Sequence, residues 1–248
     1  MAIKRIHAHL AEMESFVEMF LDEARIASNL SHPNVCAVHD VGEVGGVYYL
    51  AMEHLVGETL SSILKTLSAQ HQDELATRRW HAFVARMFAD ACEGLHAAHA
   101  LTDEHGAPLD VVHRDVSPSN LFVTYDGAIK VMDFGIATAR GRLHQTRDGA
   151  IKGKLEYLPP EVYARDAPID RRFDVWSLGV CLWEALTGQR LFRREGDIQT
   201  ITAVRGDPIL PPRACSRASI RRSTRSSSAP SSATSIGARR ARASSVRR

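Results

Sequence analysis

One stretch, residues 111–135, constrains this chain more than any other. It opens Val111-Val112-His113-Arg114-Asp115-Val116-Ser117-Pro118-Ser119-Asn120 and closes Asp133-Phe134-Gly135. Between those ends, the β-prone runs 121–124 and 129–132 flank an Asp126-Gly127 pair, a strong local signal for a hairpin. A hairpin brings its two ends together, so Asn120 and Asp133 should stand side by side with Asp115 close by. Three oxygen-bearing side chains meeting at one point suit a hard cation such as Mg²⁺, which takes carboxylate, amide and phosphate oxygens.

His113-Arg114-Asp115 with Asn120 five positions on resembles the catalytic loop of protein kinases, and Asp133-Phe134-Gly135 resembles their metal-binding motif. Either triplet alone also reads as an ordinary loop or a capped strand end. Both in order, joined by a hairpin, point to the kinase superfamily, and the resemblance covers residues 1–212. It implies an α+β, two-lobed fold: a small antiparallel-sheet lobe with one helix, then a mainly helical lobe. The expected partition is 1–55 for the partial first lobe, 56–212 for the second, and 213–248 for a disordered Arg/Ser-rich tail.

The residues around the hairpin fall into the order this resemblance requires. Met1-Ala2-Ile3-Lys4 is similar to the strand motif whose lysine holds the α- and β-phosphates. Apolar residues Phe16, Phe20, Ala24 and Ala27 recur at helical spacing over about 11–29. Glu23 in that helix resembles the glutamate that pairs with the strand lysine; a solvated surface carboxylate is the plainer alternative. Strands are expected over 35–41 and 47–52, around Gly45-Gly46. Met52 then resembles the gatekeeper, and Glu53-His54-Leu55 the hinge whose main chain bonds adenine. The resemblance implies that Ala2, Lys4, Glu53, Leu55, Phe122 and Asp133 line an ATP site, with Asn120 and Asp133 on Mg²⁺. Asp115, Asn120, Lys4, Glu23 and Lys154 form the implied catalytic set.

Gly57 reads as opening a helix, and a second helix over about 77–99 carries a clean apolar stripe through Trp80, Phe83, Val84, Met87, Phe88, Ala91, Leu95 and Ala98. His96, His99 and His105 lack a carboxylate or cysteine partner at ligand spacing and read as surface histidines. The polar segment 137–154 resembles an activation loop, with Thr138 and Thr146 as its hydroxyl candidates for phosphorylation, Thr146 the better placed, and Arg114 the cation to pair its phosphate. Residues 174–188 are almost wholly apolar inside and read as a buried helix, capped by Asp174 and ended by Gly188. In the family that aspartate holds the catalytic loop backbone.

Three departures stand out. The family's Gly-rich phosphate loop has no counterpart before Lys4, and the two or three helices expected after Pro212 are replaced by an Arg/Ser/Ala segment. A copy truncated at both ends, with a frame-shifted tail, is the expectation, and Glu161 would then lack its usual arginine. Ser117 stands where Ser/Thr kinases usually carry a lysine, while Lys154 stands where they usually carry a threonine. A reciprocal exchange is expected, with the Lys154 ammonium in the space vacated at Ser117, within ~6 Å of Asp115.

Composition excludes other classes. Hydrophobic content of 44% and charged content of 24% are ordinary for a globular protein. Cys36, Cys92, Cys181 and Cys215 are scattered without metal-ligand or disulfide-framework spacing, so they read as free thiols of a cytoplasmic protein. No apolar run is long enough to span a membrane, and Lys4, Arg5 and His7 break up any signal peptide. Residues 213–248 hold ten Arg and no acid, which leaves 21 of the 31 basic side chains against all 29 acidic ones in an acidic body. Such a tail suits non-specific phosphate binding, but it lacks interleaved aromatics, and no specific nucleic-acid partner is expected.

The expected activity is ATP-dependent phosphorylation of Ser/Thr hydroxyls on protein substrates. The alternative is a catalytically inactive, scaffold-like binding module. A small-molecule kinase of the aminoglycoside type fits less well, since that family usually has Gly where Arg114 stands.

Overall fold

The computed structural model describes residues 1–6, 13–134, 154–163 and 169–213, and gives the backbone alone for residues 14, 15, 19, 22 and 23. Thr146, Gly135 and the Arg-rich tail beyond Arg213 lie outside the described residues, as does the Glu23 side chain.

The first sheet is antiparallel, in the order β1 (Ala2–Arg5), β3 (Val47–Met52), β2 (Val38–Val44). Helix α1 (Glu14–Ser28) packs on it, and Ile6, Phe20, Ala24 and Leu50 form the buried cluster between sheet and helix. The second sheet runs β4 (Gly57–Thr59), β5 (Leu121–Thr124), β6 (Ile129–Val131). Helices α2 (Leu60–Gln70), α3 (Arg78–His99), α4 (Arg172–Thr187) and α5 (Asp197–Gly206) follow, with 3₁₀ turns at Glu74–Ala76, Leu155–Tyr157 and Pro160–Tyr163. The larger core joins the α3 stripe to Leu121, Val123, Ile129 and Val131 of the hairpin, and to Leu178, Cys181 and Ala185 of α4. Two antiparallel sheets, one small with its own helix and one set among helices, are the α+β, two-lobed arrangement the sequence implied.

Several local expectations are corrected. Strand β2 starts at Val38, not Val35: Val35 bridges to Val131, and the Cys36 N–H donates to the Val131 carbonyl at 2.9 Å, so this segment ties the two sheets together. Gly57 opens a strand rather than a helix. A Cβ at Gly57 would stand 2.1 Å from the Val123 carbonyl oxygen, so only glycine allows β4 to lie this close to β5. Helix α2 begins one residue after Thr59, whose hydroxyl accepts from the Ser62 N–H. Thr77 caps α3 in the same way, through the Trp80 N–H. Helix α4 starts at Arg172 with Arg171 as its N-cap, so Asp174 is not the cap but a buried residue of the first turn; Gly188 ends the helix as expected, in the left-handed conformation.

Candidate active site

The hairpin sets the register of the site. Leu121 pairs with Val131 and Phe122 with Lys130, and Gly127 takes the turn at a φ of 90°. The Met132 N–H donates to the Asn120 carbonyl at 2.9 Å, which brings Asn120 beside the residue preceding Asp133. Asn120 Nδ2 donates to the Asp115 backbone oxygen at 2.9 Å and to Asp115 Oδ2 at 2.8 Å. Asp115, Asn120 and the start of the Asp133 motif are therefore joined by hydrogen bonds.

His113 is buried and braces the same loop. Its Nδ1 accepts from the Asp115 N–H at 3.3 Å, so its Nε2 carries the proton and donates to the Met132 carbonyl at 3.0 Å. The Phe134 ring packs on it with centroids 4.6 Å apart. Beneath, the buried Asp174 carboxylate accepts the His113 N–H through Oδ2 (2.8 Å) and the Arg114 N–H through Oδ1 (2.9 Å). His99 Nε2 also meets Oδ2, at 2.7 Å. This corrects the surface reading of His99: its partner is 75 residues away in sequence, beyond any ligand-spacing rule. Arg114 and Asp133 sit at φ of 64° and 51°, a conformation non-glycine residues adopt at a cost of about 1–3 kcal/mol.

Around this frame stand the cations. Lys4 Nζ lies 2.8 Å from Asp133 Oδ1, so β1 delivers its ammonium to the metal-motif aspartate. Lys154 Nζ lies 3.3 Å from Asp115 Oδ2 and 2.7 Å from Ser117 Oγ, well inside the distance expected for the reciprocal exchange. Lys154 itself is the N-cap of the Leu155–Tyr157 turn, which buries Leu155 and Tyr157. Burial pulls the Arg114 guanidinium below its ordinary range, and Asp174 opposes that pull. Glu161 is exposed and makes no ion pair among the described residues.

The Glu53 side chain is engaged within the protein: its Oε2 accepts from Lys130 Nζ at 2.9 Å and from the Ala37 N–H at 3.3 Å. Burial pushes this carboxyl up, but Lys130 and the Ala37 N–H outweigh it and hold it below the usual carboxylate range. Lys130 was missed by sequence reasoning, although its place opposite Phe122 in the hairpin gave it one accessible signal. Met52 lines a small pocket with Ala27, Cys36, Leu50, Met132 and Asp133. Burial, with Glu53 and Asp133 nearby, pushes the Cys36 thiol up to about 11, which favours the protonated thiol at neutral pH. A roomier apolar cavity of about 440 Å³ between α3 and α4 touches His99 but none of the site carboxylates.

The donor chemistry fits a divalent cation bound with phosphate. Both Asn120 Nδ2 bonds go to Asp115, which fixes the amide and leaves its oxygen as the acceptor, with the Asp133 carboxylate as the second oxygen source. Among the described residues no cluster of three His, Cys, Asp or Glu side chains stands ready to hold a metal ion.

The sequence is similar to those of known proteins. The family model for the protein kinase domain matches residues 1–234. The tyrosine-protein kinase MasK of Myxococcus xanthus is 48% identical over 215 residues, covering 85% of this chain and 32% of the relative. The serine/threonine-protein kinase PknB of Mycolicibacterium smegmatis is 38% identical over 219 residues (86% and 32%), and PrkC of Bacillus subtilis, also named a serine/threonine-protein kinase, 32% over 219 (85% and 31%). The chain belongs to the protein kinase family. It spans about a third of the length of the curated relatives it matches. Protein kinases generally use ATP and Mg²⁺, and no described helix is long and apolar enough to cross a membrane.

Proposed function

We propose that this chain is an ATP-dependent serine/threonine protein kinase, with Asp115 as the group that receives the acceptor proton. The observation that carries this reading is the Asp115–Asn120 unit, fixed by two Nδ2 bonds and supported from below by Asp174. The acceptor hydroxyl oxygen attacks the γ-phosphorus, and the bond from that phosphorus to the β,γ-bridging oxygen breaks. ADP leaves with the electron pair, and the hydroxyl proton passes to the Asp115 carboxylate. Among the described residues only Oδ2 of Asp115 is engaged, by Asn120 and Lys154, so Oδ1 is the oxygen open to the acceptor.

Lys4 serves the α- and β-phosphates, and its contact with Asp133 holds the two in one place before nucleotide arrives. Asn120 and Asp133 would hold Mg²⁺, which when bound offsets phosphate charge. Ala2, Leu55 and Phe122, with the Glu53 main chain, form the adenine site. In this reading Glu23 is assigned as the partner of Lys4, and Arg114 would receive a phosphate placed on Thr146. The need for ATP supports a cytoplasmic location.

A second reading of the acceptor rests on one finding: the relative at 48% identity is named a tyrosine kinase. Transfer from labelled Mg·ATP to a generic basic protein, followed by phosphoamino-acid analysis, separates the two. Phosphoserine and phosphothreonine, absent with Asp115→Asn, support the proposal. Phosphotyrosine alone moves the specificity, and no Asp115-dependent transfer leaves the scaffold alternative.

A further inference from the structure

We propose that Lys154, carried by the segment before Glu161 and not by the catalytic loop, is the cation that binds the γ-phosphoryl group; the inference rests on the phosphotransfer site proposed above. An acceptor hydroxyl bonded to Asp115 must place its oxygen about 3 Å from that carboxylate, and within about 3.5 Å of the phosphorus it attacks. Any phosphoryl group in line for transfer therefore lies within a few ångströms of Asp115. The Lys154 ammonium, 3.3 Å from Asp115 Oδ2, stands in that zone.

Its seat is built. Ser117 is fully buried, and its Oγ lies 2.7 Å from the Lys154 Nζ and 3.2 Å from Ser119 Oγ. A longer side chain at 117 would occupy the ammonium's place, so the small hydroxyl and the long lysine are complementary. The Lys154 backbone is fixed from the other side. Its carbonyl accepts from the Tyr157 N–H at 2.9 Å, the Tyr157 carbonyl accepts from the buried Ser177 hydroxyl of α4 at 2.8 Å, and the Tyr157 hydroxyl donates to Glu184 at 2.9 Å. The Lys154 side chain keeps 37% of its surface open, so the ammonium retains solvent-facing valences for a phosphate oxygen.

Charge at the transferred group thus depends on where the Leu155–Tyr157 turn is anchored. A lysine that merely neutralised Asp115 would ignore whether the nucleotide has a third phosphate. One that binds the γ-phosphoryl would not.

The test compares ATP with ADP by calorimetry in the presence of Mg²⁺, using the full chain and Lys154→Thr, Lys154→Met and Ser117→Lys/Lys154→Thr variants. Loss of one charge-assisted contact predicts about ten-fold weaker ATP binding in both single variants, with ADP unchanged. The double variant, which returns the ammonium from the other strand of the contact, recovers most of that loss. Equal weakening of ATP and ADP, or no weakening of either, overturns the proposal. Because Ser117→Lys risks misfolding, Lys154→Met alone also decides: unchanged preference for ATP over ADP refutes the assignment. A chain that prefers ATP through Lys154 yet transfers no phosphate would overturn the proposed activity and leave this inference standing.

Discussion

Two aspartates of the site are held in opposite ways. Asp174 is fully buried and spends its carboxylate on two backbone N–H groups and His99, within the large core shared by α3 and α4. Asp133 meets Lys4 in a half-exposed pair, with 37% and 39% of the side-chain surfaces open. Lys4 comes from a sheet whose cluster holds four buried residues among the described ones. The frame that positions Asp115 is therefore structural and permanent, whereas the Lys4 contact is one that nucleotide and cation can remodel. The same division shows in two glutamates, Glu184 beside Arg190 in the large core and Glu53 beside Lys130 between the sheets.

The largest effect should come from breaking the buried side. Asp174→Ala strands two buried N–H donors and His99, and should lower unfolding free energy by about 3–5 kcal/mol in urea denaturation. A loss below about 1 kcal/mol would mean that Asp174 is no structural keystone.

The glutamates sharpen the comparison through pH. Burial pushes the Glu184 carboxyl above its ordinary 4.5, against the pull of Arg190, Tyr157 and the Leu191 N–H. A folded-state value above the unfolded one means that the native state binds the proton more tightly. Its contribution is thus fully present below about pH 4.5 and lost as pH rises through the higher folded value. Glu53 is held below 4.5, so its contribution is present above that pH and lost as pH falls. Urea midpoints of the parent chain against Glu184→Gln and Lys130→Met, taken from pH 4 to 7, should diverge in opposite directions. Parallel curves would show the two environments to be alike. Lys130→Met itself should cost about 1 kcal/mol at neutral pH.

The smallest stability effect belongs to Lys4→Met, under about 0.5 kcal/mol after solvent screening. The same change should reduce phosphotransfer roughly 10²–10³-fold, as removal of a charge-stabilising group does. A stability loss as large as that of Asp174→Ala would erase the distinction between the two regions.

Much of this was legible in the residues because local chemistry and tertiary placement agree. The Asp126-Gly127 turn and its flanking runs form the expected hairpin, and the α3 stripe and the Gly188 stop fall where periodicity put them. Lys154 was also readable, since the lysine absent at 117 reappears at 154. What the sequence concealed depends on contacts without periodicity. Gly57 lies in a strand because β5 passes too close for a side chain, a fact of approach rather than propensity. His99 looked solvated because its carboxylate lies on another helix; Asp174, read both as a cap and as the support of the loop backbone, serves only the second.

The most direct test of the central claim is Asp115→Asn, which keeps the shape and the Asn120 neighbourhood but removes the proton acceptor. Transfer of the γ-phosphate to a basic protein and Mg·ATP affinity should be measured on the same preparations. The account predicts that transfer falls by about 10²–10⁴-fold while ATP affinity changes less than ten-fold. Transfer that persists at the parent rate would contradict the role of Asp115 and the function built on it.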